Sequence, residues 1–219
     1  NKVSTNNPAM RIDQNKSSAN VTLDGSSVPF TLAGDSETTY GGAFIEVKSG
    51  TFTLSGITIE NFATSNRGAF AITNSGSGVV DDVAFKNCTS THADHASVIF
   101  NGNNLTLTGN VTFDGTCQST NVCVENNSKT TTYDGGNSAA ITVALGTAAA
   151  DDNFIRNNGS NSLDGKFTLT NNGYELVPDA SGNLDVAESA GIVRGTISIT
   201  GISKNNEIKL MSTALRPAT

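Results

Sequence analysis

Two pairs of adjacent carboxylates are the first candidates for chemistry in this sequence. Asp81 is followed by Asp82, and Asp151 by Asp152. Paired carboxylates can coordinate Ca²⁺, or act as general acid and general base in enzymes that cleave polysaccharides. Adjacent residues of a strand, however, point to opposite faces of the sheet. Neither pair therefore makes a site by itself, and we expect these side chains to be solvated corner residues.

The two histidines lie close together in the segment STHADHAS. His92, Asp94 and His95 are types of residue that bind metal ions or act as a general base. A polar turn between two strands has the same composition, and we expect a turn here. The sequence contains no Gly-rich phosphate loop and no GxSxG or HExxH motif. We therefore predict no catalytic residue, no metal site and no cofactor.

Three cysteines, Cys88, Cys117 and Cys123, lie in the middle of the chain. An odd, clustered set does not make a disulfide framework. The pairing that we favour joins Cys117 to Cys123 across the short QSTNV loop. A stack of Cys88 on Cys117 and three reduced thiols are the alternatives. A zinc site is not expected, because the histidines come without paired CxxC spacing.

Charge and hydropathy narrow the choice of partners. The formal net charge is −7, and only 13 Lys and Arg residues are spread along the chain. No basic stripe is available to neutralise phosphates, which argues against nucleic acid as a partner.

No apolar run reaches the roughly 18 residues that a membrane helix needs. The many Asn, Ser, Thr and Gly residues favour strands joined by polar turns.

The elements that must position these side chains repeat along the chain. Each unit opens with a small residue before a short apolar strand, continues through a polar corner, and ends with an alternating strand closed by an aromatic residue. The small residues are about 26 residues apart, and they are Ala43, Ala69 and Ala96. The closing aromatic residues are Phe62, Phe85 and Phe113, with Tyr133 and Phe154 as later versions.

This repeat predicts an all-β fold, a right-handed parallel β-helix with capping segments. An antiparallel sandwich is the alternative for short alternating strands, but it does not require successive strands to resemble each other. In a β-helix like positions stack about 4.8 Å apart, so that Ala lies on Ala and Phe on Phe. One coil cannot bury its own apolar face and needs similar neighbours. In this register, Glu46, Thr73 and Phe100 are expected to share the outward position.

Three regions follow from the pattern. Residues 1–40 are expected to form an N-terminal cap with the first strands, residues 41–173 the β-helix coils, and residues 174–219 an irregular segment or further coils. In the last region the sequence suggests a short helix at 186–190 and strands at 195–200 and 207–211.

Four short motifs resemble the repeats of a known family. They are GGAF at 41–44, GAF at 68–70, LTLTGNVTF at 105–113 and FIRN at 154–157. They are similar to the GGA[aliphatic or aromatic] and FxxN repeats of the chlamydial polymorphic membrane proteins. The resemblance implies an autotransporter passenger, displayed at the bacterial cell surface or secreted, with a role in adhesion and virulence. Membrane contact would run only through a C-terminal barrel, which we expect to be missing from this sequence.

Two functions of different classes follow. The first is a non-catalytic adhesin fragment that attaches to a host-cell receptor or glycan. The alternative is a polysaccharide-active β-helix enzyme, a lyase or hydrolase, or a glycan-binding protein like a phage tailspike. An enzyme would need carboxylates or basic residues aligned across neighbouring coils. The outward positions Glu46, Thr73 and Phe100 form no such ladder, so we expect adhesion and no enzyme.

Overall fold

A computed structural model describes residues 8, 10–13, 20–35, 37–137, 139–147 and 150–189, without the side chains of 151–153. The chain divides into two units, Asn1–Ser189 and Ala190–Thr219. The second unit, with the strands expected at 195–200 and 207–211, lies outside the described residues.

The described residues form strands and turns and contain no helix. The strands are β1 (Met10–Ile12), β2 (Asn20–Asp24), β3 (Thr31–Ala33), β4 (Thr39–Tyr40), β5 (Ile45–Ser55), β6 (Thr58–Thr64), β7 (Phe70–Asp81), β8 (Ala84–Ser90), β9 (Ile99–Asn101), β10 (Asn104–Gly109), β11 (Thr112–Phe113), β12 (Val122–Val124), β13 (Thr130–Gly135), β14 (Ile141–Leu145), β15 (Asp151–Asn157), β16 (Phe167–Leu169), β17 (Tyr174–Pro178) and β18 (Leu184–Glu188).

Almost every strand pairs in parallel with its counterpart one coil away, which gives a β-solenoid of about five turns. The first flank contains β1, the first part of β5 and of β7, and then β9, β12, β14 and β16. The second flank contains β2, the last part of β5 and of β7, and then β10, β13 and β15. The third flank contains β3, β4, β6, β8 and β11. This arrangement confirms the predicted all-β parallel β-helix.

The two longest strands bend from the first flank to the second. The register between β5 and β7 shifts between Val47 and Ser49, beyond which Gly50 pairs with Gly76. A Cβ on Gly76 would collide with the Val47 carbonyl oxygen. The corner is tight because neighbouring coils approach here backbone to backbone, which only glycine permits.

The interior is a set of in-register apolar columns. On the first flank one column is Ile45, Phe70, Ile99, Val122 and Val143. All five side chains are buried. The next inward column interrupts the apolar pattern at Asn101, which lies between Ile72 and Val124. Each coil thus buries its apolar side against its neighbours, as the repeat requires.

The closing aromatic residues do not form one continuous stack. Phe85 pairs with Phe113, and their rings stack with centroids 5.2 Å apart. Phe62 pairs with Cys88, so it is displaced from that column, and its ring stacks on Tyr40 at 4.7 Å. Phe85 lies opposite Ile59, so Phe62 stands three residues further along its strand than Phe85 does.

The small residues that open the coils are also out of register with one another. The pairing of Ile45 with Phe70 places Phe44 opposite Ala69, so Ala43 is one residue away from the position expected for it. Ala69 packs in the main core, and Ala43 joins a separate outer cluster. Ala96 is half-buried, and Phe154 is buried in β15. The expected Ala-on-Ala stack is therefore wrong, although Ala69 and Phe154 lie inside.

Asparagine does stack on asparagine at one corner. Asn61 and Asn87 have positive φ values of 56° and 48°, a conformation that asparagine tolerates better than most residues. The Asn87 side-chain amide donates to Asn61 Oδ1 at 3.0 Å. This pair fixes the turn within the third flank in two successive coils.

The two ends of the described unit also consist of paired strands. β1 to β4 pair in parallel with β5 and β6, so much of the expected N-terminal cap already belongs to a coil. β17 and β18 form an antiparallel hairpin beside β15. The short helix expected at 186–190 is wrong, because Leu184 and Val186 alternate into the core as strand residues.

Candidate functional site

The second flank presents two parallel columns of hydroxyl and amide side chains. We call them the hydroxyl face. One column is Asn20, Thr51, Ser77, Asn104 and Thr130, and the other is Thr22, Thr53, Thr106 and Thr132, interrupted by Val79 between Thr53 and Thr106. Between them lie inward residues such as Phe52 and Leu105, which are buried. Alternation along each strand therefore directs these polar side chains outward.

The parallel strand register makes the hydroxyl face a regular lattice. Neighbouring strands lie about 4.8 Å apart, and alternate residues of one strand lie about 6.6 Å apart. Threonine is β-branched and stiff at χ1, so its hydroxyl loses little side-chain entropy when a ligand binds. Each hydroxyl can both donate and accept a hydrogen bond. This array suits a ligand that is itself rich in hydroxyl groups.

The outward side of the first flank is unusual because it is apolar and covered. Ala43, Ala71, Phe100 and Cys123 form a buried cluster separate from the main core. Phe100 has no exposed surface although its strand neighbours, Ile99 and Asn101, point inward. Outward residues of a solenoid normally meet solvent, so something must cover this cluster.

The segment 91–96 and Arg67 form that cover. The His95 ring packs on Phe100 with centroids 5.2 Å apart, and His92 stacks on His95 at 5.2 Å. The Arg67 guanidinium carbon lies 4.8 Å from the centre of the Phe100 ring. His92 Nδ1 lies 3.2 Å from the backbone nitrogens of both Asp94 and His95, which closes the turn.

The only sulfur beside a histidine in the described part of the chain is that of Cys123. Its Sγ lies 3.7 Å from His95 Nδ1. Burial, followed by the charges of His92 and Arg67, lowers the pKa of His95. Burial raises the pKa of Cys123 to about 12. Both groups are therefore neutral near pH 7, which is the opposite of an activated thiolate and imidazolium pair.

The turn that contains the histidines has a structural role in this arrangement. Within the described residues, no group of three or more His, Cys, Asp and Glu side chains could hold a metal ion. Asp94 is exposed at the tip of the turn. The expected polar turn is present, and its imidazoles pack on an aromatic ring.

A polar pocket of about 320 Å³ opens beside this cover. We call it the arginine pocket. Its polar walls are Arg11, Glu46, Asn66, Arg67, Thr73 and His92, and Ala43 and Ala71 form its floor. The hollow exists because small Ala71 stands in register between Glu46 and Phe100. Thr73 lies two residues beyond Ala71, so the expected alignment of Glu46, Thr73 and Phe100 was wrong at Thr73.

An ion pair defines one wall of the arginine pocket. Arg11 Nε donates to Glu46 Oε2 at 2.9 Å, as these residues face each other across β1 and β5. The Thr73 hydroxyl donates to the other Glu46 oxygen at 3.4 Å. The carboxylate therefore already has partners for both of its oxygens.

The cysteines lie at two separate places. Cys88 and Cys117 are neighbours, with the Cys88 N–H 3.5 Å from Cys117 Sγ. Cys123 lies on the outer side of the first flank, so the favoured Cys117–Cys123 pairing is wrong, and all three cysteines are free thiols. Hydrogen bonding between the two thiols and burial raise the pKa of Cys88, whereas the same contact lowers the pKa of Cys117.

Asp81 and Asp82 lie where β7 ends, whereas Asp151 and Asp152 are the first residues of β15. Asp81 Oδ2 accepts a hydrogen bond from Ser55 Oγ at 3.0 Å, and Asp82 accepts one from the Asn110 N–H at 2.6 Å. Asp24, Asp81 and Asp134 share one outward column but alternate with Ser55 and Thr108. Carboxylates that alternate in this way are about 9.6 Å apart by strand spacing. The side chains of Asp151 and Asp152 lie outside the described set.

Sequence reasoning missed the contact of Arg67 with Phe100 and the covered outer cluster. The available signal was Phe100 and Cys123 at positions where alternation predicts polar residues. Two large or apolar outward side chains in successive coils indicate that another segment covers them.

Comparison of the chain with protein-family models, with curated proteins and with solved structures finds no match. No helix long and apolar enough to span a membrane occurs in the described residues.

Proposed function

We propose that this chain is a fragment of a surface-displayed adhesin, an autotransporter-like passenger that attaches to host cells without catalysis. The parallel β-helix is a fold that suits a passenger region. The observation that carries the proposal is the hydroxyl face. Five successive coils present hydroxyl or amide groups at matched positions along it.

The physical basis of attachment is the match between this lattice and a polyhydroxylated surface. Glycan hydroxyls both donate and accept hydrogen bonds, as do the threonine hydroxyls. The stiff side chains need little ordering on contact. Single hydrogen bonds contribute only about 0.5–1.5 kcal/mol each, so useful affinity requires several coils to engage together. A glycan of a host-cell receptor is the partner that this surface favours.

Cell binding by the purified chain tests the proposal. The variant combines Thr53→Ala, Thr106→Ala and Thr132→Ala, which removes three hydroxyls from one column. The matched control combines Thr31→Ala, Thr58→Ala and Thr112→Ala on the outward side of the third flank. We expect the first variant to bind cells at least about tenfold more weakly, and the control to bind normally.

Two outcomes would contradict the proposal. If the two triple variants bind cells equally well, the hydroxyl face does not mediate attachment. If the chain releases reducing ends or unsaturated sugars from any of a panel of polysaccharides, it is an enzyme and not a non-catalytic adhesin. In that case Asp81→Asn is the first variant to assay for loss of activity, because Asp81 shares an outward column with Asp24 and Asp134.

A further inference from the structure

The charges of the arginine pocket do not balance among the described side chains. Two guanidinium groups, of Arg11 and Arg67, face one carboxylate, that of Glu46. Arg11 is paired with Glu46. Among the residues that the structure describes, no carboxylate forms an ion pair with Arg67. The lining of this pocket therefore has one more positive than negative charge, although the chain has a net charge of −7. The carboxylates of Asp94 and Glu125 act on His95 from outside this lining.

The stacking of Arg67 on Phe100 leaves its hydrogen-bonding edge available. A guanidinium group contacts an aromatic ring through its planar face, and its N–H donors lie in that plane. The contact with Phe100 holds the group, and no described residue accepts a hydrogen bond from its fork of guanidinium N–H groups. Such a fork matches the two oxygens of a carboxylate.

The backbone that carries Arg67 is held at several points. The Arg67 N–H donates to Asn66 Oδ1 at 2.8 Å, and the Asn66 side-chain amide donates to the Gly41 carbonyl at 3.1 Å. Gly68 follows with a φ of 87°, and a Cβ there would lie 2.6 Å from the Val98 carbonyl oxygen. The side chain therefore leaves a rigid corner, which limits the entropy lost on binding.

His92 adds a second donor to the wall of the pocket. Its Nδ1 faces the N–H groups of Asp94 and His95 and must act as an acceptor. In the neutral ring the proton is then on Nε2. This assignment follows from the hydrogen-bond pattern. The pocket thus offers the Arg67 fork and an imidazole N–H above an alanine floor.

We infer that the arginine pocket binds a carboxylated saccharide, with Arg67 as the anchor of the carboxylate. Its volume of about 320 Å³ is at the lower end of small-molecule sites, which suits one sugar ring. The apolar floor of Ala43 and Ala71 accommodates the C–H face of the ring. Each Glu46 oxygen accepts one hydrogen bond, from Arg11 or from Thr73, and can accept a second one from a ring hydroxyl. The biological role of this specificity rests on the proposed attachment function.

A pair of ligands that differ only in the carboxylate tests the inference. Methyl β-glucuronide and methyl β-glucoside are titrated separately into the ¹⁵N-labelled chain, and amide shifts are followed by NMR. We expect the glucuronide to bind at least about tenfold more tightly, as a hydrogen bond to a charged group exceeds a neutral one. The largest shifts should fall at 66–73 and 91–96. Equal affinity for the two ligands would overturn the inference.

Variants separate the role of Arg67 from a general charge effect. Arg67→Gln should abolish the preference for the glucuronide, and Arg67→Lys should keep part of it, because lysine retains the charge but not the fork. Arg156→Gln, an exposed arginine on the second flank, makes the same change in net charge and should leave the preference intact. Thr73→Val is a second pocket variant, and it leaves the contact of Arg67 with Phe100 in place. It should weaken the binding of both the glucuronide and the glucoside.

The outcomes also distinguish this inference from the proposed function. Loss of glucuronide preference in Arg156→Gln, or its survival in Arg67→Gln, would overturn the pocket assignment. Cell attachment by the hydroxyl face would then still stand. Failure of the hydroxyl-face variant to affect cell binding would remove the proposed function, whereas glucuronide binding in the pocket would remain.

Discussion

The Arg67 guanidinium carbon lies 4.8 Å from the centre of the Phe100 ring. This contact joins two features that have separate origins in the sequence. Phe100 is an outward residue of β9 that has no exposed surface, and Arg67 leaves a corner between β6 and β7. Together with His95 they close the outer side of the first flank. Of the three, Arg67 also lines the arginine pocket.

Truncation of Phe100 should loosen this cover. Phe100→Ala removes the ring that contacts both Arg67 and His95, and we expect a loss of about 3 kcal/mol in the free energy of unfolding. Chemical denaturation followed by circular dichroism measures the loss. Limited proteolysis should show faster cleavage within 91–96. Phe100→Leu should lose less free energy of unfolding than Phe100→Ala. If the Phe100→Ala chain is as stable as the wild type, the ring does not support the cover.

Acidification should weaken the same cover through His95. The folded state lowers the pKa of His95, so the unfolded chain binds the proton more readily. The stability that the folded state gains by keeping His95 neutral is complete above the ordinary histidine pKa of about 6.5. It is lost as the pH falls toward the lower pKa that His95 has in the folded state. Melting temperatures at pH 7.5 and pH 5 measure the effect.

A His95→Asn variant is the control for this titration. Its melting temperature should depend less on pH over that interval, because an asparagine side chain does not titrate. His92, Asp94, Glu125 and Arg67 remain in both chains. An identical pH dependence in both chains would show that the effect does not arise from His95.

The three thiols should react at different rates. Cys117 is half-buried with a lowered pKa, whereas Cys88 and Cys123 are buried with raised pKa values. Because the thiolate is the reactive form, iodoacetamide should modify Cys117 first in the folded chain at pH 8. Peptide mapping by mass spectrometry identifies the site. Modification of Cys123 at the same rate would contradict the burial of the outer cluster.

Asn101 is a polar residue in an otherwise apolar inward column. Its side-chain amide donates to the Thr130 carbonyl at 2.9 Å and to Thr131 Oγ1 at 3.1 Å, and its oxygen accepts from the Asn103 N–H. Asn101→Ala leaves these buried groups unpaired and should cost about 1–3 kcal/mol in unfolding free energy. Asn104→Ala, at an exposed position, should change it by less than about 0.5 kcal/mol. Equal effects would contradict the role of the buried amide.

The coil architecture was predictable because its cause is local. Alternation around Phe52 and Leu54, or Leu105 and Leu107, directs one side of each strand inward, and repetition of the pattern requires neighbours that carry the same side. Register was less predictable. The shift between Val47 and Ser49 moves Ala43 away from the position that sequence alignment gives it. Phe62 is out of line with Phe85 because Ile59 is the residue that lies opposite Phe85.

The candidate site was harder to predict than the coil. The outward placement of Phe100 is visible in the sequence, but its cover by Arg67 and His95 depends on how two polar corners fold back over the flank. Residues distant along the chain, such as Arg11 and Glu46, meet only through strand pairing. No short motif records these contacts, and the histidine cluster suggested chemistry where the structure has packing.

NMR titration of the ¹⁵N-labelled chain with glycans released from host cells tests the central claim most directly. The account predicts amide shift changes concentrated along β2, β5, β7, β10 and β13, at the residues of the hydroxyl face, with the glycans unchanged at the end. Shift changes confined to the third flank, or cleavage of the added glycans, would contradict it.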